Sequence, residues 1–222
     1  MAEFPPPLRF DCESRESTRA CLLALFGCEA ATLDDFLTDT TLDDEYQRGA
    51  WELPPFDEFV YERACRRLGI PQMPTELCWF HGTRVPAGTT FTEGILPLPQ
   101  ALARLKANIL ATLNDKADRQ EVRSALEREN GLTFHLQNKL TGGTEYGPFA
   151  MFVREMALDA RATSQHAYVD MPEIIEDLCA EVQASCGRDL IPLFEQAWLP
   201  AVVKFVTPAF SPEFHKIGRA HV

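Results

Sequence analysis

Leu77-Cys-Trp-Phe-His81 is the stretch on which the fold turns, a short run that stays apolar until its last residue and follows a Pro71–Pro74 turn. Too short for a typical helix and without polar alternation, it predicts a strand buried on both faces. Its far end is His81-Gly-Thr83, after which Pro86-Ala-Gly88 makes a turn and Phe91-Thr-Glu-Gly-Ile95 leads out. Ala201-Val-Val-Lys-Phe-Val206, rich in β-branched residues and with Pro on both sides, predicts a second strand. Phe149-Ala-Met-Phe-Val153 reads as a third, although 149–157 also fits one face of a helix.

Helical patterns surround these strands. Residues 13–27 carry Ala20, Leu23, Ala24 and Phe26 at helical spacing and end in Gly. Phe56, Phe59, Val60, Ala64 and Leu68 define a second helix, stopped by Gly69-Ile-Pro71. The intervening 34–45 reads as an acidic loop. A long helix is expected over 99–113 and a more polar one over 118–129, ending at Asn130-Gly131; 141–148, with paired glycines and Pro148, is turn chemistry. Pro172 followed by Glu173, Glu176 and Asp177 is a helix start that the helix dipole favours, with helices running to about 185 and over 189–198. The expectation is one α+β domain over 1–215, with a helical N-terminal region at 1–70. Lys216-Ile-Gly-Arg-Ala-His-Val222 resembles a reading frame of a sequencing adapter and is expected to be a non-native tail.

Composition agrees with a globular chain: 222 residues, 45% hydrophobic and 24% charged. A chain of this length buries roughly 70% of its unfolded surface and needs no staple. Its net charge of −12 repels phosphate backbones and anionic membranes, so nucleic acid is not an expected partner. No apolar run approaches the ~20 residues of a membrane span, and Met1-Ala-Glu-Phe-Pro-Pro-Pro lacks a signal-peptide pattern, so the expected location is the cytoplasm. Seven cysteines, an odd number with several on apolar faces, suit reduced core thiols, with Cys12 and Cys28 the expected exposed exceptions. Without CxxC or a His pair at i, i+4, no metal is expected.

Trp79-Phe-His-Gly-Thr-Arg84, followed by Phe91-Thr-Glu-Gly-Ile-Leu-Pro97, carries the chemical signal. A His-Gly-Thr closing a buried strand, with an aromatic and Gly-Ile some ten residues on, resembles the start of the ADP-ribosyltransferase superfamily. The resemblance spans about 77–206. It implies a split, mainly antiparallel β core with peripheral helices, and NAD as substrate. It makes His81 the contact to the NAD ribose and Gly82 a backbone contact to the nicotinamide amide, with Thr83 as a second anchor. The physical logic is that Gly82 lacks a Cβ, so a ligand can approach the main chain, while His81 can donate and accept together. The resemblance makes Tyr146 the ring that stacks on nicotinamide, with Tyr168 second, and Glu173 the carboxylate that supports nicotinamide departure. From their position after Pro172, Glu173, Glu176 and Asp177 read first as an ordinary acidic first helical turn.

Cys78 and His81, three apart on a strand, point to opposite faces and cannot form a nucleophile–base pair. Phosphate-loop, dinucleotide and serine-hydrolase motifs are absent. Two functions follow. One is NAD-dependent ADP-ribosyl transfer to an unidentified protein or small-molecule acceptor; the other is a non-enzymatic protein-binding module with an acidic surface.

Overall fold

Cys78, Trp79 and Phe80 are buried in the middle of an 11-residue strand, β2 (Glu76–Pro86), in a computed structural model that describes residues 6–49, 53–96, 98–127, 149–159 and 166–209. Burial on consecutive residues means that both faces of the strand are covered, as its unbroken apolar run requires. The strand continues past His81 because Thr83 and Val85 suit extended backbone.

β1 (Arg9–Phe10) runs parallel to the start of β2, with Arg9 opposite Glu76 and Phe10 opposite Leu77. Arg9 and Glu76 add an exposed ion pair of 2.7 Å. β3 (Trp198–Pro208) completes a mixed sheet of order β1-β2-β3, and the fold is α+β. In place of a split antiparallel core, the described residues contain this one mixed sheet. The strand expected at 149–153 contracts to one antiparallel bridge, in which Phe80 and Met151 exchange backbone bonds of 2.8 and 2.9 Å. Helix-forming Arg-Glu-Met-Ala-Leu follows at once and ends the extended segment.

Two compact units divide the chain. The first takes in the described residues up to Cys78 together with Thr207–Ala209. It contains α1 (Arg15–Phe26), α2 (Ala30–Leu37), α3 (Thr41–Gly49) and α4 (Phe56–Leu68). Ser14 caps α1 reciprocally with Ser17, and Gly27, at φ 61°, closes it by donating to the Leu23 carbonyl. The expected acidic loop at 34–45 is instead mostly helical. Leu33 and Phe36, three apart, bury against Ala64 and Leu68, while Asp39 restarts the chain by accepting from the Thr41 backbone and hydroxyl.

The second unit takes in the described residues from Trp79 to Val206. Its helices are α5 (Leu98–Thr112), α6 (Lys116–Glu127), α7 (Arg154–Leu158), α8 (Glu173–Cys186) and α9 (Ile191–Ala197). Ile109, Leu113, Val122, Ile175, Leu178, Val182 and Phe194 form its core, with Trp198 closing one end. The Trp198 indole N–H donates to the Thr112 hydroxyl at 2.8 Å, which satisfies the polar atom that burial would otherwise strand. Pro172 stands at the N-cap of α8, one position before the expected first turn, and Glu173 is the first helical residue.

Cys12, Cys21, Cys28, Cys65, Cys78 and Cys179 are free thiols. Cys12 corrects an expectation: it is buried, and burial pushes its thiol pKa up. No described helix is long and apolar enough to cross a membrane.

Candidate active site

His81 is half-buried on β2, and its Nδ1 lies 2.6 Å from the Phe149 carbonyl oxygen. A carbonyl only accepts, so Nδ1 carries the proton and Nε2 is left as an acceptor in the neutral ring. Burial lowers the imidazole pKa, and the carbonyl bond opposes that only in part, so the ring is neutral at pH 7.

Gly82 is fully buried, and its missing side chain serves protein packing. A Cβ there would meet the Ala157 carbonyl oxygen at 3.0 Å, Val169 Cγ1 at 3.1 Å and Tyr168 Cβ at 3.5 Å. The space expected to admit a ligand to the main chain is therefore filled by the 167–171 turn and the end of α7. Thr83 follows, half-buried.

The turn that packs on Gly82 carries Tyr168, the second of the two tyrosine candidates. Its ring stacks on Phe149 at 5.8 Å and 18°, and meets His166 edge-on at 4.6 Å. Its hydroxyl donates to Glu173 Oε1 at 3.3 Å. Nε2 of His166 in turn donates to the Met171 carbonyl at 2.9 Å and lies 3.7 Å from Glu176. Glu173 and Glu176 occupy the first turn of the 14-residue α8, where the positive end of the helix dipole favours negative charge. Glu173 thus opens a helix.

Of the residues singled out from sequence, His81, Gly82, Tyr168 and Glu173 fall in one neighbourhood, linked through Phe149 and the 167–171 turn. Tyr146 lies outside the described residues. Sequence reasoning gave three members no role in this site: Phe149, which fitted a strand or one face of a helix; His166; and Arg84. The available signal for Arg84 was a lone arginine directly after His-Gly-Thr in β2. Its guanidinium donates to three backbone carbonyls, those of Trp198 (3.1 Å), Asp170 (2.8 Å) and Glu195 (3.0 Å).

Chemically, the neighbourhood offers a neutral imidazole, a phenol held by a carboxylate, and a second carboxylate beside a second imidazole. Among the described residues, no group of three or more His, Cys, Asp or Glu side chains is disposed to hold a metal ion. The first unit has its own shallow cleft, where Arg63, Arg66 and Arg67 meet Asp39 and Glu45. No family model, curated protein or solved structure matches the chain.

Proposed function

We propose that the chain transfers ADP-ribose from NAD to an acceptor, with Tyr168 and Glu173 as the aromatic and carboxylate of the site. The observation that carries this reading is the Tyr168–Glu173 hydrogen bond, on a turn packed against Gly82 of the His-Gly-Thr strand. In this scheme the bond between the ribose anomeric carbon and the nicotinamide nitrogen breaks, and its electron pair leaves with nicotinamide. Positive charge passes from the pyridinium ring to the ribose, where the Glu173 carboxylate stabilises it. The acceptor's lone pair then bonds the anomeric carbon, and its proton goes to solvent. His81, neutral and with Nε2 free to accept, orients a ribose hydroxyl. The free thiols among the described residues suit a reducing compartment, and we assign the reaction to the cytoplasm.

A second reading, a non-enzymatic protein-binding module with an acidic surface, is favoured by the filled space at Gly82, where the resemblance would bring nicotinamide to the main chain. NAD titration followed by calorimetry separates the two. The transferase reading expects binding that weakens at least tenfold in His81→Ala and in Tyr168→Ala. Absence of any heat from NAD would leave the binding module.

A further inference from the structure

Gly82 and Arg84 are two apart on β2, so they project to the same face of the strand. Both engage the turn that precedes α8. At Gly82 the turn comes into van der Waals contact through Val169 and Tyr168. At Arg84 it is held polar end to polar end, with Nη1 donating to the Asp170 carbonyl at 2.8 Å. The other two nitrogens of the same guanidinium, Nη2 and Nε, donate to the carbonyls of Glu195 in α9 and of Trp198 at the start of β3. One planar cation therefore ties three chain segments, 86 to 114 residues away in sequence, to the strand that carries His81.

The turn itself is tight: Asp170 and Met171 both donate to the Ala167 carbonyl, at 2.9 and 3.3 Å. Fixing the Asp170 carbonyl thus fixes the residues on either side, Tyr168 upstream and Pro172-Glu173 downstream. A lysine could not do this. It presents a point charge, whereas arginine's rigid fork addresses several carbonyls in a defined plane.

We propose that Arg84 is a positioning residue for the Tyr168–Glu173 pair. Paired with Gly82 on one strand face, it sets where the turn, the phenol and the carboxylate stand relative to His81. Its relevance to catalysis rests on the transferase reading above, whereas its effect on the geometry of the pair does not.

The test uses the whole chain with its tyrosines labelled with 13C at the ring ζ carbon, the Tyr168 signal being assigned by Tyr168→Phe, together with amide hydrogen exchange. Hydrogen bonds to a charged donor protect strongly, so Arg84→Lys should speed exchange in residues 166–171 by about tenfold or more. It should also shift the Tyr168 resonance, leaving Tyr46, Tyr61 and the α1 and α4 amides as in wild type. Arg84→Met, which removes all the donors, should move the same signals further in the same direction. If Arg84→Lys folds and leaves both the Tyr168 signal and the turn amides unchanged, the proposal is overturned. Equal acceleration across α6, α8 and β3 would also overturn it, since Arg84 would then be only a general support. NAD is absent from this experiment, so a failure of the transferase reading leaves its outcome intact. With NAD chemistry in hand, the matching kinetic expectation is a fall of at least tenfold in kcat/KM in Arg84→Lys, since the phenol and the carboxylate move together.

Discussion

Replacing Gly82 by Ala adds one carbon to β2 and tests the packing on which the candidate site depends. The residue does not occupy the left-handed region, so its backbone accepts alanine and the cost is steric. The new Cβ would lie 3.0 Å from a backbone oxygen of Ala157 and 3.1 Å from Val169 Cγ1, each closer than ordinary van der Waals contact. Val169 can adjust a few tenths of an ångström, but the Ala157 carbonyl belongs to the end of α7 and moves only with the chain. Overpacking of this kind costs about 1–3 kcal/mol. Against it, alanine restricts the unfolded chain and returns roughly 0.5–1 kcal/mol. Mid-range values of the two leave a net destabilisation of about 1–1.5 kcal/mol. With an m-value of about 2 kcal/mol/M, that lowers the urea midpoint by roughly 0.5–0.75 M. The assay is urea unfolding followed by tryptophan fluorescence, since Trp79 and Trp198 are both buried in the second unit. A Gly82→Ala protein as stable as wild type, or more so, would refute the close approach of the turn to β2.

Further predictions follow from individual contacts. Trp198→Phe removes the indole N–H that binds Thr112 and leaves space in a site only 3% exposed; we expect a loss of about 2 kcal/mol, read as a melting temperature roughly 4–8 °C lower. An unchanged melting temperature would show that the Trp198–Thr112 contact does not support the core. Cys179 is 2% exposed, and burial first, then the nearby Asp189 and Glu176 carboxylates, push its thiol up to about 12 from an ordinary value of 9.0. Folding favours the neutral thiol, so this contribution is complete below about pH 9 and is lost as pH rises from there towards 12. Denaturation between pH 8 and 10.5 should show a stability decline that Cys179→Ala flattens; parallel declines in the two proteins would contradict the assignment.

The features legible in the sequence were those set by local chemistry. Gly27 and Gly69 marked the ends of α1 and α4 because glycine accepts positive φ, 61° and 98° here. The unbroken run at 77–81 announced a strand covered on both faces, and Pro172-Glu-Ile-Ile-Glu announced the start of α8. At 34–45 the density of acidic residues concealed α2 and α3, whose apolar spacing is carried by Leu33, Phe36, Leu42 and Tyr46. Cys12 looked exposed because its neighbours Asp11 and Glu13 are charged, yet it is 6% exposed.

The site divides along the same line. His81 and Gly82 stood out as a motif, and Glu173 was visible both as a candidate and as part of an acidic first turn. What gathers them is non-local. The partner of His81 is a carbonyl 68 residues away, and the three partners of Arg84 are carbonyls that every residue possesses. Side-chain chemistry in the sequence cannot point to a backbone acceptor. The choice of Tyr168 over other aromatics likewise depends on the 167–171 turn folding back on Gly82, a contact that leaves its trace only as a glycine.

The most direct test of the account is nicotinamide release from NAD by the whole chain, compared between wild type and Glu173→Gln. Glutamine keeps the shape and an acceptor for Tyr168 while removing the charge. The account predicts measurable release by wild type that falls by about 100-fold or more in the variant, the scale on which a transition-state charge stabiliser acts. Release by Glu173→Gln at the wild-type rate, or none from wild type, would contradict it.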